Sequence, residues 1–109
     1  MLVLHPTALS NFLDEHPGAV LMDVREAWEV ALASIKQPGV EQRFVPMNQV
    51  PQAMQQWSQD QTTVCVCHHG VRSAQVARYL EASGWTHVVN LDGGIDAWSV
   101  SVDPSVARY

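Results

Sequence analysis

Cysteine occurs only twice in this chain of 109 residues, as Cys65 and Cys67, and that scarcity excludes a disulfide scaffold. Two cysteines one residue apart cannot staple distant segments. In a reducing compartment each is a buried hydrophobe, a ligand or a nucleophile. Basic residues are also few: six Lys and Arg stand against eleven Asp and Glu, a formal charge of −5. That balance argues against general affinity for nucleic acid or an anionic membrane surface. No apolar run is long enough to span a bilayer. The start, Met1-Leu-Val-Leu4 then His5-Pro6, lacks the basic region and the long apolar stretch of a secretion signal. A soluble cytoplasmic protein is the expectation.

The composition that remains is that of one globular domain, 47% hydrophobic and 16% charged. We expect a single domain over residues 1–109, with a core spanning about 15–103 and a tail at 104–109. Leu2–Leu4 reads as a very short strand, and Thr7 as the cap of a helix that turns Leu9, Phe12 and Leu13 inward. His16-Pro17-Gly18 stops that helix. Ala19–Met22 is a continuous apolar run ending at Asp23, the pattern of a strand buried on both faces. Glu26–Ala33 reads as a short helix and Arg43–Val45 as a second brief strand. From Gln49 to Gln61, six of thirteen residues are Gln, yet Val50, Met54 and Trp57 keep helical spacing. An amphipathic helix with Pro51 in its first turn is expected there. Thr62–Val66 is the clearest strand and Ser73–Ser83 the clearest helix, with Gly84 as its stop. His87–Asn90 makes a last strand, and Gly93-Gly94 leads into a short helix through Trp98. Ser99–Tyr109 has no periodicity. Strands alternating with helices, with no repeat and no linker, predict an α/β domain around a mostly parallel five-stranded sheet with helices on both faces.

In such sheets the functional loops lie at the carboxyl ends of the strands. Asp23 and Cys67 both fall there. The stretch Cys67-His-His-Gly-Val-Arg-Ser73 must fold back from a strand end to a helix start. Backbone N–H groups of such a loop, together with those of the helix start, point inward as an anion-binding nest. A thiolate at Cys67 gains hydrogen bonds and a favourable dipole there. Gly70 can take the positive φ of a tight loop, and Arg72 adds a permanent charge with a fork suited to oxyanions.

Other assignments of these residues compete. Cys65 points to the same strand face as Cys67 and reads as a small core hydrophobe. As a resolving cysteine it would lie about 6.5–7 Å along the strand, too far for an undistorted disulfide. The two cysteines with His68 and His69 could ligate zinc or copper, but the spacing strains a tetrahedral site and no second cluster completes it. His68 and His69 fit better as pocket-rim residues. Asp23, Arg25 and Glu26 either brace the loop by ion pairing or contact substrate directly, and Gly93-Gly94 is most simply a turn.

Three segments together resemble the single-domain rhodanese family of sulfurtransferases. They are Leu21-Met-Asp-Val-Arg-Glu26, the loop Cys67–Ser73, and Leu91-Asp-Gly-Gly-Ile-Asp-Ala-Trp98. The resemblance implies a rhodanese-like fold and a catalytic Cys67. It assigns substrate binding to His68, His69, Gly70, Val71, Arg72 and Ser73, with support from Asp23 and Arg25. It implies no metal or organic cofactor. The substrates it implies are small sulfur anions (thiosulfate, sulfite) with cyanide or thiols as acceptors, or alternatively a protein donor such as a cysteine desulfurase and a protein acceptor. Phosphatases of similar fold resemble this arrangement with C-x5-R, whereas Cys67 to Arg72 is C-x4-R. One residue is up to about 3.5 Å of chain, so the shorter loop favours sulfur over phosphate. Ala33-Ser-Ile-Lys-Gln-Pro-Gly-Val40 departs from the family's usual Gly-His-Ile-Pro-Gly-Ala: the histidine is missing and two residues are added.

Overall fold

A computed structural model describes residues 1–109. Five strands, β1 (Leu2–Leu4), β2 (Val20–Asp23), β3 (Glu41–Phe44), β4 (Thr63–Val66) and β5 (Val88–Leu91), form one sheet in the order β1-β5-β4-β2-β3. Every pairing is parallel. The expected α/β fold is present, with the sheet wholly rather than mostly parallel. The crossovers carry α1 (Leu9–Glu15), α2 (Ala27–Leu32), α3 (Val50–Ala53), α4 (Val71–Ala82) and α5 (Gly94–Ser101).

The central strands are buried along their whole length, and strand alternation divides their side chains between two cores. Leu21, Val64, Val66, Val89 and Leu91 meet Leu9 and Leu13 of α1 and Ile95 and Trp98 of α5. On the other face Met22, Cys65 and Val88 meet Val76, Ala77 and Leu80 of α4. Cys67, just past β4, continues the Cys65 side and belongs to this second core. No helix is long and apolar enough to cross a membrane.

Two stretches differ from expectation. The helix anticipated over 49–61 is three short pieces: a 3-10 turn at Met47–Gln49, the single turn of α3, and a 3-10 turn at Met54–Gln56. Trp57 is already extended, and the Ser58 hydroxyl accepts a hydrogen bond from the Asp60 N–H. That local turn competes with helix, and the Gln-rich flank has little apolar surface to hold a longer one in place. The second difference concerns the ends of the core. Leu9, Leu13 and Val106 are buried within it, outside the 15–103 span. Helix α5 runs on to Ser101, and the Ser99 hydroxyl donates to the Val106 carbonyl at 2.6 Å, drawing the tail onto the sheet.

If the tail is part of the core, Val106→Ala lowers unfolding free energy by about 2 kcal/mol. Urea denaturation checks this through a lower midpoint at unchanged slope, and an unmoved midpoint contradicts it.

Candidate active site

β4 ends at Val66, and six residues later α4 is under way, so Cys67–Arg72 closes a tight loop over the carboxyl edge of the sheet. Gly70 makes the turn possible at φ +91°, and a side chain there would press on the backbone of Gly93. The Gly70 N–H points at Cys67 Sγ at 3.0 Å, and the Ser73 hydroxyl lies 3.3 Å from the same sulfur. Of the N–H groups expected around the sulfur, Gly70 is the one in hydrogen-bond contact; Val71 heads α4 with its side chain 66% exposed. Helix α4 begins two residues earlier than its apolar spacing suggested, which brings Val71 and Arg72 into its first turn.

A second glycine matters more than the sequence pattern indicated. Gly93-Gly94 is the point where α5 docks on the loop: the Ile95 N–H donates to the Cys67 carbonyl at 2.9 Å and the Asp96 N–H to the His68 carbonyl at 3.0 Å. A Cβ on Gly94 would collide with both carbonyls. The start of α5 thus satisfies the backbone of the loop from below.

Arg72 does not face open solvent as a free cation. Its Nη1 and Nη2 reach the two carboxylate oxygens of Glu29 at 2.8 and 2.7 Å. Glu29 also closes a capping box at the start of α2, accepting from the Glu26 N–H at 2.9 Å. The Arg72 hydrogen bonds hold the Glu29 carboxyl down at about 2, against the opposing cost of burial. Glu29 was not singled out in the sequence. Its signal is the capping-box spacing Glu26-x-x-Glu29, which marks a helix start but not a partner 43 residues away.

Asp23 and Arg25 are buried to 4% and 1% exposure and bond to each other, with Arg25 Nη2 2.7 Å and Nε 2.9 Å from the Asp23 carboxylate. Arg25 also donates to the carbonyls of Glu29 and Ala33 and to the Tyr109 hydroxyl at 3.0 Å. The side-chain bonds of this pair run to each other, to α2 and to the tail, and none runs to the Cys67–Arg72 loop. Tyr109 in turn donates to Glu29 Oε1 at 3.0 Å. Its ring stacks on His68 at 3.8 Å, and the His69 ring lies tilted against His68 at 3.9 Å. Burial and the neighbouring His69 lower the pKa of His68, which favours its neutral ring. His69 is the exposed member, 3.9 Å from Asp96, a carboxylate already paired with Arg108.

Cys65 sits in the core, where burial pushes its thiol up to about 12. No three His, Cys, Asp or Glu side chains are grouped as metal ligands are. A cavity of about 320 Å³ opens at the amino ends of the strands among Phe12, His16, Glu81 and His87 and shares no residue with the loop.

The family model for the rhodanese-like domain matches residues 5–101. A sulfurtransferase of Allochromatium vinosum is 36% identical over 92% of this chain and 90% of that protein. The thiosulfate sulfurtransferase GlpE of Vibrio cholerae is 32% identical over 77% of this chain and 76% of that protein. A longer relative, the chloroplastic rhodanese-like/PpiC domain-containing protein 12 of Arabidopsis thaliana, is 38% identical, but the chain spans only 32% of its length. Among solved structures, a rhodanese-like domain protein of Staphylococcus aureus superposes with a TM-score of 0.77 at 32% identity, covering 100% of this chain and 99% of that one.

The Glu29 carboxyl has an acid signature. Its folded value lies below the ordinary 4.5, so its contribution is fully present above pH 4.5 and is lost as pH falls through about 2. With solvent screening allowed for, since the Arg72 side of the pair is 33% exposed, that contribution is on the order of 1–2 kcal/mol. Glu29→Gln is expected to lower stability at neutral pH by a similar amount and to flatten the stability profile in that acid window. Denaturant titrations between pH 2 and 7 test this; parallel profiles for the two proteins contradict it.

Proposed function

This chain belongs to the rhodanese-like family of sulfurtransferases, and from that premise we propose that it moves sulfane sulfur through a persulfide on Cys67. The donor in this reading is thiosulfate or a related sulfane compound, and the acceptor is cyanide or a thiol. The observation that carries it is the Gly70 N–H aimed at Cys67 Sγ from within a six-residue loop that opens onto the start of α4.

The steps balance as follows. The Cys67 thiolate attacks the outer sulfur of thiosulfate, the S–S bond of the donor breaks, and its electron pair leaves with sulfite. A cysteine persulfide remains, with its charge on the terminal sulfur, in a nest of N–H groups at a helix start. Cyanide then attacks that terminal sulfur, the Cys–S–S bond breaks, and thiocyanate departs while the thiolate is restored. Val71 and Arg72 in the first turn of α4, with His68 and His69 at the rim, bound the space an incoming anion would enter. The roles of Asp23 and Arg25 in this reading are indirect, through α2 and Tyr109. The reaction suits the cytoplasm, where reducing conditions keep Cys67 free.

A relay between proteins is the second reading, and one feature favours it. The guanidinium of Arg72 is neutralised by Glu29, while Trp28 and Val71 stand 63% and 66% exposed. A rim with a paired cation and exposed apolar side chains suits a persulfide presented on a protein as well as a small dianion.

Incubation with thiosulfate is expected to add the mass of one sulfur atom to the intact protein, removable by cyanide with release of thiocyanate. Cys67→Ser gains nothing under the same conditions. Equal mass gain in that variant overturns the reading. Faster loading by a cysteine desulfurase than by saturating thiosulfate selects the relay.

A further inference from the structure

Asn90 is the third residue of β5, 5% exposed, on the sheet face that carries Cys65 and Val88. Its amide orientation follows from its neighbours. Asn90 Nδ2 lies 3.2 Å from the Gly70 carbonyl, which can only accept, so Oδ1 is the atom that meets the Ser73 hydroxyl, at 2.5 Å. Two oxygens so close need a hydrogen between them, and the amide oxygen has none to give. The single hydrogen of Ser73 is therefore held by Asn90. What Ser73 turns toward Cys67 Sγ, 3.3 Å away, is a lone pair.

That arrangement treats the forms of Cys67 differently. A thiol can donate its hydrogen to Ser73 Oγ. A thiolate needs donors, and has the Gly70 N–H at 3.0 Å plus a hydroxyl that must first leave Asn90. A persulfide carries its charge one S–S bond further out, about 2 Å away from the contested position.

Resting on the reading of Cys67 as the nucleophile, we propose that Asn90 is a positioning residue for sulfur transfer: it withholds the Ser73 proton from Cys67 Sγ and keeps the thiolate one hydrogen bond short. A less solvated thiolate is a stronger nucleophile, and the loaded persulfide does not need the missing bond. Asn90 thereby tilts the equilibrium toward the loaded form. The same side chain, through Nδ2, holds Gly70 in the turn that aims its N–H at the sulfur.

The charge on Cys67 acts on Cys65 along its own strand and on Arg72 at the start of α4. His68 and His69 flank it in the loop, with Glu29 behind Arg72 and Asp96 beside His69. None of these groups is altered in the test.

The readout is the pH dependence of Cys67 alkylation by iodoacetamide, mapped to the residue by mass spectrometry and independent of any sulfur donor. In Asn90→Ala the freed hydroxyl turns to the sulfur. The alkylation midpoint is expected to fall by about half a pH unit, roughly a threefold gain in thiolate fraction below it. The limiting rate at high pH should fall with it. Measured against Ser73→Ala, the double variant Asn90→Ala with Ser73→Ala shows no such downward shift. Ser73→Ala alone removes an acceptor from the thiol, not a donor from the thiolate, and so does not raise the midpoint. That single variant decides the matter if Asn90→Ala fails to fold. A rise of half a unit in Ser73→Ala shows that Ser73 normally donates to sulfur and overturns the proposal. An unmoved or raised midpoint in Asn90→Ala, or a downward shift between Ser73→Ala and the double variant, overturns it too. Cys67 that alkylates as expected but never gains sulfur from any donor leaves the hydrogen-bond assignment standing and removes the sulfurtransferase reading instead.

Discussion

Two hydrogen bonds of 2.7 and 2.8 Å join Arg72 to Glu29 across 43 residues, and much of the site is organised around that pair. Arg72 ends the cysteine loop in the first turn of α4; Glu29 lies in the first turn of α2 and completes its cap. The pair therefore fixes the loop to a helix that follows a different strand. Glu29 also accepts from Tyr109, whose hydroxyl receives Arg25, which in turn clasps Asp23 at the end of β2. Two ion pairs joined through Tyr109 thus connect the loop, α2, the tail and the sheet edge. Buried charges in such a chain cost desolvation energy, and the complete set of partners offsets it.

Beneath this network the parallel sheet gives the sulfur its position. Alternation along β4 sends Val64 and Val66 to one core and Cys65 to the other, and Cys67 continues the second side after the strand ends. Two cysteines of the same type, on the same side and one residue apart, meet different surroundings. Cys65 is enclosed by apolar side chains, whereas Cys67 meets a backbone N–H and a hydroxyl. The loop itself is held from below by α5, whose first N–H groups take the carbonyls of Cys67 and His68. Those two carbonyls are thereby directed away from the sulfur, which meets the Gly70 N–H.

Much of this was legible in the residues. Four-residue apolar runs marked the buried strands, because a strand covered on both faces has no polar side. The helix over Val71–Ala82 was visible from Val76, Ala77 and Leu80, whose spacing matches a helical face. The Gln-rich stretch was misread as one helix because Val50, Met54 and Trp57 match that spacing, while only Val50 is fully buried. The tail was opaque for a related reason. Val106 and Tyr109 act alone, one in a hydrophobic core and one stacked on His68, and isolated anchors leave no period.

Family, α/β order and the cysteine loop are encoded locally, because each depends on residues close together in the chain. Gly70 between Cys67 and Arg72 encodes a turn locally, and apolar runs encode strands locally. The partners of the charged and polar groups emerge only from the folded arrangement. Arg72 offers an oxyanion fork in sequence and meets Glu29 in space; Gly94 looks like a turn and is the floor of the loop. Asn90 looks like one polar residue in a strand, yet it takes the Ser73 hydrogen beside the sulfur. Hydrogen-bond partners are chosen by proximity in three dimensions, and nothing in a linear pattern states which donor meets which acceptor.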